Sequence, residues 1–497
     1  MTPARARTVI ALALAVGVAG DVLLRGDGAR LGFLLLVLLL VAALVASGAL
    51  PGPRAAGSPE GRERWWIAGG AVLAASGLIL RDAEDLQVLD NLSVLAMGAL
   101  WAWHARSRSL ARFTLEDAPR AGILAGTDVV TGAPATLRLG LAEPMDGDAA
   151  SARSGRRRDL VIGALIAIPP LVIAAALLGG ADPLMERWFS RWPAFISEEA
   201  IGHLFFAAIL SWAVLGWSSA PLRLEGPVTS AAPELRFAFP FRRLAPTLYG
   251  LSALFAVFLG SQLRVLFGGA AYIAETSGLT LAEYARDGFF DLVAVTGVVL
   301  GVLYVADRLL GEGRAEDARH FRVAGSLLLL LVTVPIISAF VRMSLYVQHF
   351  GLSVDRLNAV AAMIGIAVAL AWFGLTTLRG HRARFGPGML VVTSLWVAAL
   401  NLANPEAIVV RVNSARAAAG SSFDIAYHLK LSADARPGLW AALAVLPPDA
   451  CRELRSALET ERQTGARAPK DWQSWNIPRS AWRLGSLSGD SCVRSAD

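Results

Sequence analysis

The sequence has few charged residues and few cysteines for its length. Only 17% of its 497 residues are charged and two are cysteines, whereas 55% are hydrophobic. Soluble chains of this length rarely have such a composition, and the basic residues, nearly all arginine, cluster beside apolar runs as they do in membrane proteins. We therefore predict a membrane protein whose partner is the lipid bilayer, with no nucleic-acid partner.

The chain also lacks the short motifs that mark several enzyme classes. It contains no GxxxxGK[ST] phosphate loop, no GxSxG elbow, no GxGxxG fingerprint, no CxxC pair and no HExxH frame. Glu198, Glu199 and His203 have helical spacing, but a zinc site needs a further ligand, and we interpret them as helix-start charges and a packed histidine. We predict no catalytic residue, no metal and no cofactor.

Eleven apolar runs are long enough to cross about 30 Å of hydrocarbon as helices. They lie at 8–24, 31–50, 65–80, 86–103, 159–178, 201–217, 244–268, 288–306, 322–341, 357–377 and 386–403. The sequence therefore predicts an all-α polytopic transmembrane bundle. Because eleven is odd, the two termini are expected on opposite sides of the membrane.

Loop charges predict the orientation of these spans. Arginines gather in alternate loops, for example at 54–64, 104–158, 223–243 and 379–384, whereas the other loops are acidic or mixed. Since arginine-rich short loops stay in the cytoplasm, the N-terminus is expected there and the C-terminus outside. The acidic turn formed by Asp82, Glu84 and Asp85 is then an outer turn, which we interpret as solvated.

The predicted organisation has four parts. Four N-terminal spans (1–103) precede a partly ordered cytoplasmic loop (104–158), a core bundle of seven spans (159–403) and a small helical extracytoplasmic domain with a tail (404–497). Helices in the last part are predicted at about 405–419, 422–430, 436–446 and 449–463, bounded by prolines and glycines. Cys451 and Cys492 both fall there, so they form either a disulfide in an oxidising compartment or two unrelated thiols.

Six blocks of sequence resemble a known family. They are QLRVLFGG, GLTLAEYARDGFFDL, RMSLYVQHFGLSVDRL, NPEAIVVRVNSARA, DIAYHLKLSADARPGL and DWQSWN. In order and spacing they resemble a family of bacterial polytopic membrane proteins known as domain of unknown function 4173, related to family 4153, over about Leu160 to Arg483. The resemblance implies a bacterial inner-membrane protein and an architecture, but no reaction and no catalytic residues.

Polar residues fall at the predicted outer ends of the spans. Such residues are costly in a membrane unless they are paired or hydrated, which makes them candidates for a ligand site. The predicted outer vestibule contains Asp90, His203, Gln262, Arg264, Glu283, Arg286, Asp291, Arg342 and Tyr346. Its guanidinium groups could bind an anion, or the same side chains could form interhelical ion pairs that only support packing.

Three functional hypotheses follow. The first is a non-enzymatic envelope protein whose vestibule and C-terminal domain recognise an envelope protein, an anionic lipid or an anionic solute. The second is a transporter of a small anionic or lipid-like solute, suggested by Arg264 and Arg342 beside spans that Pro169, Pro170 and Pro335 interrupt and that Gly268 and Gly269 end. Such residues are also tolerated as kinks in membrane helices, which is the interpretation we prefer for them. The third is a membrane enzyme acting on a lipid-linked substrate, with Glu283 or Asp291 as a base.

Overall fold

A computed structural model describes most of the chain. The described residues are 1–26, 28–52, 57–107, 109–141, 198–224, 239–277, 289–310, 315–465, 468–484 and 492. Every element within them is a helix, and they form two compact units. The first unit comprises Met1–Leu110, Leu115–Thr229 and Ala468–Ala481, and the second Ala111–Thr114, Ser230–Arg467 and Trp482–Asp497.

Within the described residues, the first unit contains seven α-helices and the C-terminal segment 468–481. The helices are α1 (Pro3–Leu23), α2 (Arg30–Ala46), α3 (Pro59–Leu80), α4 (Glu84–Ser107), α5 (Asp117–Gly140), α6 (Glu198–Ser218) and α7 (Ala220–Arg223). Local sequence explains where two of them begin: Thr2 and Ser58 accept hydrogen bonds from the amides of Arg5 and Gly61, and a proline follows each cap.

Helices α1 and α6 are antiparallel and approach closely. A Cβ atom at Gly17 would lie 2.6 Å from the Ala207 carbonyl oxygen, and His203, near the start of α6, contacts Asp21, near the end of α1. Small residues permit this spacing, as they do in membrane helix pairs. The start of α6 therefore lies at the same end of the first unit as the end of α1.

Helices α3 and α4 form a second antiparallel pair. A Cβ atom at Gly77 would lie 2.2 Å from the Asp90 carboxylate, and at the opposite ends of the two helices His104 Nε2 lies 3.0 Å from Glu63 Oε2. Asp90 is fully buried. The glycine thus makes room for a polar side chain between the two helices.

In the part of the second unit that the structure describes there are nine α-helices, followed by a last α-helix that starts in the first unit. They are α8 (Phe241–Ser277), α9 (Phe289–Leu310), α10 (Ala315–Phe350), α11 (Val354–Thr376), α12 (Phe385–Ala403), α13 (Pro405–Ala418), α14 (Ile425–Lys430), α15 (Arg436–Ala442) and α16 (Pro448–Thr464); the last is α17 (Ile477–Leu484). A core of α8–α11 side chains includes Leu248, Leu303 and Phe373. A second core lies among α13–α16.

Six of the described helices are long and apolar enough to cross a membrane: α1, α9, α10, α11, the first part of α8 and the segment Arg382–Ala403 that includes α12. Helix α2 and the segment Gly202–Ser218 of α6 are shorter but apolar. Ten of the eleven predicted runs coincide with described helices, and the run at 159–178 lies outside the described residues. The all-helical class with several membrane-length helices is confirmed, whereas the count of eleven spans stays a prediction.

Three local expectations differ from the structure. Helix α5 occupies Asp117–Gly140, where the sequence predicted a partly ordered loop. Helix α8 continues beyond Gly268 and Gly269 to Ser277, and α10 is continuous through Pro335. Proline within a membrane helix is tolerated when neighbouring groups satisfy the freed carbonyl, so Pro335 does not interrupt the span. Pro169 and Pro170 lie outside the described residues.

The predicted C-terminal helices are present, but they share a unit with the apolar helices. Helices α13–α16 belong to the second unit together with α8–α12. Asn404 links α12 to α13 in a left-handed conformation (φ 52°), and its side chain accepts from the Ala407 amide and donates to the Asp434 carbonyl. These contacts fix the turn that connects the apolar helices to the C-terminal helices.

Candidate functional site

A buried carboxylate at one end of the first unit is the centre of the candidate site. Asp82, in the turn between α3 and α4, is 3% exposed. Its Oδ1 lies 2.9 Å from Arg30 Nη2 and accepts hydrogen bonds from Arg479 Nε at 2.7 Å and Asn476 Nδ2 at 3.0 Å. Three distant parts of the sequence therefore meet at one oxygen atom.

The segment 468–481 is held in place by its own turn and by contacts with α1 and α2. The Ser474 amide donates to Asp471 Oδ1 at 2.7 Å, and the Arg479 amide donates to Asn476 Oδ1 at 3.0 Å. Gln473 accepts from the Gly32 amide through its carbonyl and donates through Nε2 to the Val22 carbonyl. This local structure directs Asn476 and Arg479 toward Asp82.

Gly26 permits the close approach of this segment. Its φ of +112° is one that side-chain-bearing residues rarely adopt, and a Cβ atom there would lie 2.4 Å from Asp471 Oδ2. Glycine is therefore required both for the backbone conformation and for the space.

The two guanidinium groups that contact Asp82 differ in their access to solvent. One carboxylate faces two guanidinium groups, of which Arg30 is 8% exposed and Arg479 is 26% exposed. Arg479 gives Asp82 its Nε only, and within the part of the chain that the structure describes its two Nη nitrogens have no hydrogen-bond partner. A forked pair of donors with solvent access is suited to a phosphate or carboxylate group.

A second ion-pair cluster lies at the same end of the first unit. Asp21 is buried near the end of α1, where Oδ2 accepts from Arg25 Nε at 3.2 Å and Oδ1 lies 2.9 Å from His203 Nδ1. Gln473 contacts Val22, the residue after Asp21. The segment 468–481 therefore contacts the residues around both Asp21 and Asp82.

The described vestibule residues belong to different units. Asp90 and His203 lie in the first unit, and Arg342 and Tyr346 lie on α10 in the second. Arg342 is buried, and the Arg356 guanidinium lies 4.3 Å above the centre of the Tyr346 ring. Within the first unit, Asp90 packs against α3 and His203 pairs with Asp21, so these two residues have separate contacts.

The other five vestibule residues lie wholly or in their side chains outside the described set. Gln262 and Arg264 lie on α8 and Asp291 lies on α9, but their side chains are outside the described set, as are Glu283 and Arg286 entirely. A shared vestibule stays a prediction.

The second unit contains a buried polar network among α13–α16. Ser432 donates through its amide to Glu406 Oε1 and Oε2 at 3.0 and 2.9 Å, and through its hydroxyl to Oε2 at 2.6 Å. Burial raises the pKa of Glu406, although the Ser432 hydrogen bonds act in the opposite direction. Arg436, fully buried, donates through Nε and Nη2 to the two carboxylate oxygens of Glu461 at 3.0 and 3.1 Å.

His428 is held neutral in the same network. Its Nδ1 donates to the Asp424 carbonyl at 2.6 Å, and its Nε2 accepts from Asn413 Nδ2 at 3.1 Å. Burial lowers the pKa of His428 below its ordinary value of 6.5, and only the neutral ring can accept from Asn413.

The stability of the α13–α16 region should depend on pH through His428. Its pKa is lower in the folded than in the unfolded chain, so the unfolded chain binds more protons below pH 6.5. The contribution of His428 to the free energy of unfolding is therefore constant above about pH 6.5. It is lost as the pH falls toward the pKa of His428 in the folded chain. We expect the urea midpoint of this region, followed by proteolysis, to fall between about pH 7 and about pH 5. His428→Gln should reduce that pH dependence; an unchanged slope would contradict the assignment.

A disulfide joins Cys451 on α16 to Cys492, with Cα atoms 5.7 Å apart. Both residues belong to the second unit. Within the described residues, no group of three His, Cys, Asp or Glu side chains is placed to hold a metal ion. Of the sequence trio, His203 lies 2.9 Å from Asp21 Oδ1 and 3.9 Å from Glu199 Oε1, and the side chain of Glu198 lies outside the described set.

Sequence reasoning missed most of the Asp82 cluster. The acidic turn was interpreted as solvated, whereas Asp82 is buried; its neighbours Glu84 and Asp85 are exposed. Arg30, Asn476 and Arg479 were not candidates, although Asn476 belongs to the block DWQSWN. The block DWQSWN, which lies far from the apolar runs, was the only feature of the sequence that pointed to this cluster.

The six long apolar helices place the protein in the class of multi-pass helical membrane proteins. A family model described as "Domain of unknown function (DUF4153)" matches residues 68–442, three quarters of the chain. The chain therefore belongs to the DUF4153 family, while its likeness to family 4173 stays a prediction. No curated protein and no solved structure matches it.

Proposed function

We propose that the protein is a non-enzymatic inner-membrane protein of the bacterial envelope that recognises an anionic group at the outer end of its first unit. The observation that carries this proposal is Arg479, whose Nε binds Asp82 while its two Nη nitrogens remain available beside solvent. The ligand class is a phosphate or carboxylate group, from a lipid headgroup, a solute or an acidic envelope protein.

The proposed orientation is supported by where helix ends meet. Glu198 begins α6 at the Asp21 end of the first unit, whereas Gly140 ends α5 at the start of α1, near Ala6. Residues 140 and 198 therefore lie at opposite ends, as expected if the chain crosses the membrane between them. We retain the eleven-span topology with a cytoplasmic N-terminus, in which the Asp82 end faces outward.

Binding can be tested with two probes that separate the sources of the anion. Inorganic phosphate and dihexanoyl phosphatidylglycerol are titrated into the purified protein by calorimetry. We expect Arg479→Gln to weaken binding by about tenfold or more, because a charge-assisted hydrogen bond contributes about 1.5–3 kcal/mol. Tighter binding of dihexanoyl phosphatidylglycerol than of inorganic phosphate would identify a lipid headgroup as the ligand.

Two further variants make this test specific. Arg479→Lys keeps the charge but removes the fork, and it should bind more weakly than the wild type. Arg452→Gln removes an exposed guanidinium of the second unit and should bind as the wild type does. Equal binding by Arg479→Gln and Arg452→Gln would refute the site.

The transporter hypothesis has less support. That hypothesis rests on Arg264 and Arg342 beside interrupted spans, but α10 is continuous through Pro335 and α8 continues beyond Gly269. It remains testable by solute flux into vesicles containing the protein.

A further inference from the structure

Helix α5 is fixed to the first unit by a buried carboxylate. Asp128, near the middle of the helix, accepts hydrogen bonds from Arg106 Nη1 and Nη2 at 2.7 and 2.8 Å and from Arg223 Nη2 at 3.3 Å. Arg106 lies in the last turn of α4, and Arg223 ends α7. The carboxylate is 2% exposed, so α5 has one face that is firmly attached to protein.

Helix α5 also meets the ends of two other helices, α6 and α1. A Cβ atom at Gly132 would lie 2.4 Å from the Gly216 carbonyl oxygen, in the last turn of α6. At the end of α5, the Gly140 carbonyl accepts from Arg7 Nε at 3.1 Å, and a Cβ atom there would lie 2.6 Å from Ile10. These contacts fall at the start of α1 and the end of α6, which lie at one end of the antiparallel pair.

Helix α5 therefore lies across that end and not along the bundle. From Asp128 to Gly140 an α-helix advances about 18 Å. Over that distance the contacts of α5 pass from Arg106 and Gly216, in the last turns of α4 and α6, through Ser219 at Thr136, to the first turns of α1. The step from Gly216 to Ser219 is three residues, so α5 advances only about 5 Å along the bundle axis. A helix with this placement lies in the plane of the membrane surface, since α1 is a candidate membrane span.

The opposite face of α5 is exposed and amphipathic. Ile123 and Val130, 66% and 65% exposed, are two turns apart and thus on one side of the helix. Arg120 and Arg138 are also exposed, and at 100° per residue both lie about 60° from Ile123, on the same flank. Glu116 is exposed near the N-terminus of the helix, and Asp117 lies 3.5 Å from Arg120.

We propose that this face of α5 is a lipid-binding surface, with Ile123 and Val130 among the acyl chains and Arg120 and Arg138 at anionic headgroup phosphates. The occupant is the phospholipid leaflet, because the helix lies at the level where membrane-length helices end and because the arginines flank the apolar side chains, as in interfacial helices. This surface lies at the opposite end of the first unit from Arg479, and the inference does not depend on the anion site.

Spin labels can measure the depth of this face. The two native cysteines are joined in a disulfide, so Ile123→Cys or Val130→Cys introduces a single reactive thiol. In nanodiscs of phosphatidylcholine and phosphatidylglycerol, both labels should collide more often with oxygen than with a water-soluble nickel chelate. Leu254→Cys, exposed on the apolar part of α8, gives the hydrocarbon reference, and Ser456→Cys, exposed on α16, gives the aqueous reference.

The proposal would be overturned if a label at Ile123 or Val130 were as accessible to the nickel chelate as the Ser456 label. It would also be overturned if the label were shielded from both reagents, which would indicate a protein partner.

A second experiment tests the role of the arginines. Arg120→Gln with Arg138→Gln should make the labels shallower only when phosphatidylglycerol is present, and equal depths in both lipid compositions would refute that role.

Discussion

Asp82→Ala is expected to release the segment 468–481 and to destabilise the first unit by about 3–5 kcal/mol, the cost of breaking a buried ion pair. The substitution removes the acceptor of Asn476 and Arg479 and the carboxylate that lies 2.9 Å from the Arg30 guanidinium, which is 8% exposed. Hydrogen exchange at 471–481 and trypsin cleavage after Lys470 and Arg479 measure the release. Cleavage should accelerate by about tenfold or more, since each 1.4 kcal/mol changes an equilibrium tenfold.

Glu84→Gln is the matched control for this prediction. Glu84 lies two residues along the same turn, but its side chain is exposed. Removing its charge should change neither exchange nor cleavage beyond the small effects usual for surface residues. If Asp82→Ala and Glu84→Gln gave the same protection, Asp82 would not hold the segment in place.

The fold class was predictable because hydrophobicity is a property of each segment by itself. Long apolar runs predicted the positions of α1, α10 and α11 well, and prolines and glycines located α13–α16 within a few residues. Helix α5 was missed because its buried face is made of Gly132, Thr136 and other small or polar residues. Such a face packs against helix ends without producing an apolar run.

The candidate site was less predictable because its residues come from opposite ends of the chain. Asp82 meets Arg30 and Arg479, which lie 52 residues before it and 397 residues after it. An acidic turn next to a span is usually solvated, and nothing local distinguishes Asp82 from Glu84. His203 was found because a histidine in an apolar run is conspicuous, but its partner Asp21 was not.

Two of the blocks that resemble the known family contact each other in the second unit. Asn413 comes from the block NPEAIVVRVNSARA, and His428 comes from DIAYHLKLSADARPGL. Asn413 donates both to His428 and to the Leu352 carbonyl, and Glu406 of the first block accepts from Ser432 of the second. The polar residues of the two blocks therefore specify how α13 packs against α14 and the following turn.

Glu461→Ala is expected to destabilise the α13–α16 region by about 3–5 kcal/mol. Arg436 has no exposed side-chain surface, and its carboxylate partner lies on α16, 25 residues later in the sequence. Without Glu461, the guanidinium keeps its hydrogen bond to the Leu429 carbonyl at 2.9 Å but loses the carboxylate that accepts from its Nε and Nη2. Urea unfolding of this region, followed by hydrogen exchange with the disulfide intact, measures the loss.

Two variants separate this buried pair from ordinary surface charge. Glu459→Gln breaks the pair with Arg455 on the same helix, where both side chains are about one-third exposed, and should cost about 0–1 kcal/mol. Arg436→Met combined with Glu461→Leu removes both buried charges and should recover much of the stability lost in Glu461→Ala, because no unpaired charge remains. If the double variant were as unstable as Glu461→Ala, the loss would come from packing or from the other Arg436 hydrogen bonds, and the buried guanidinium would not be its cause.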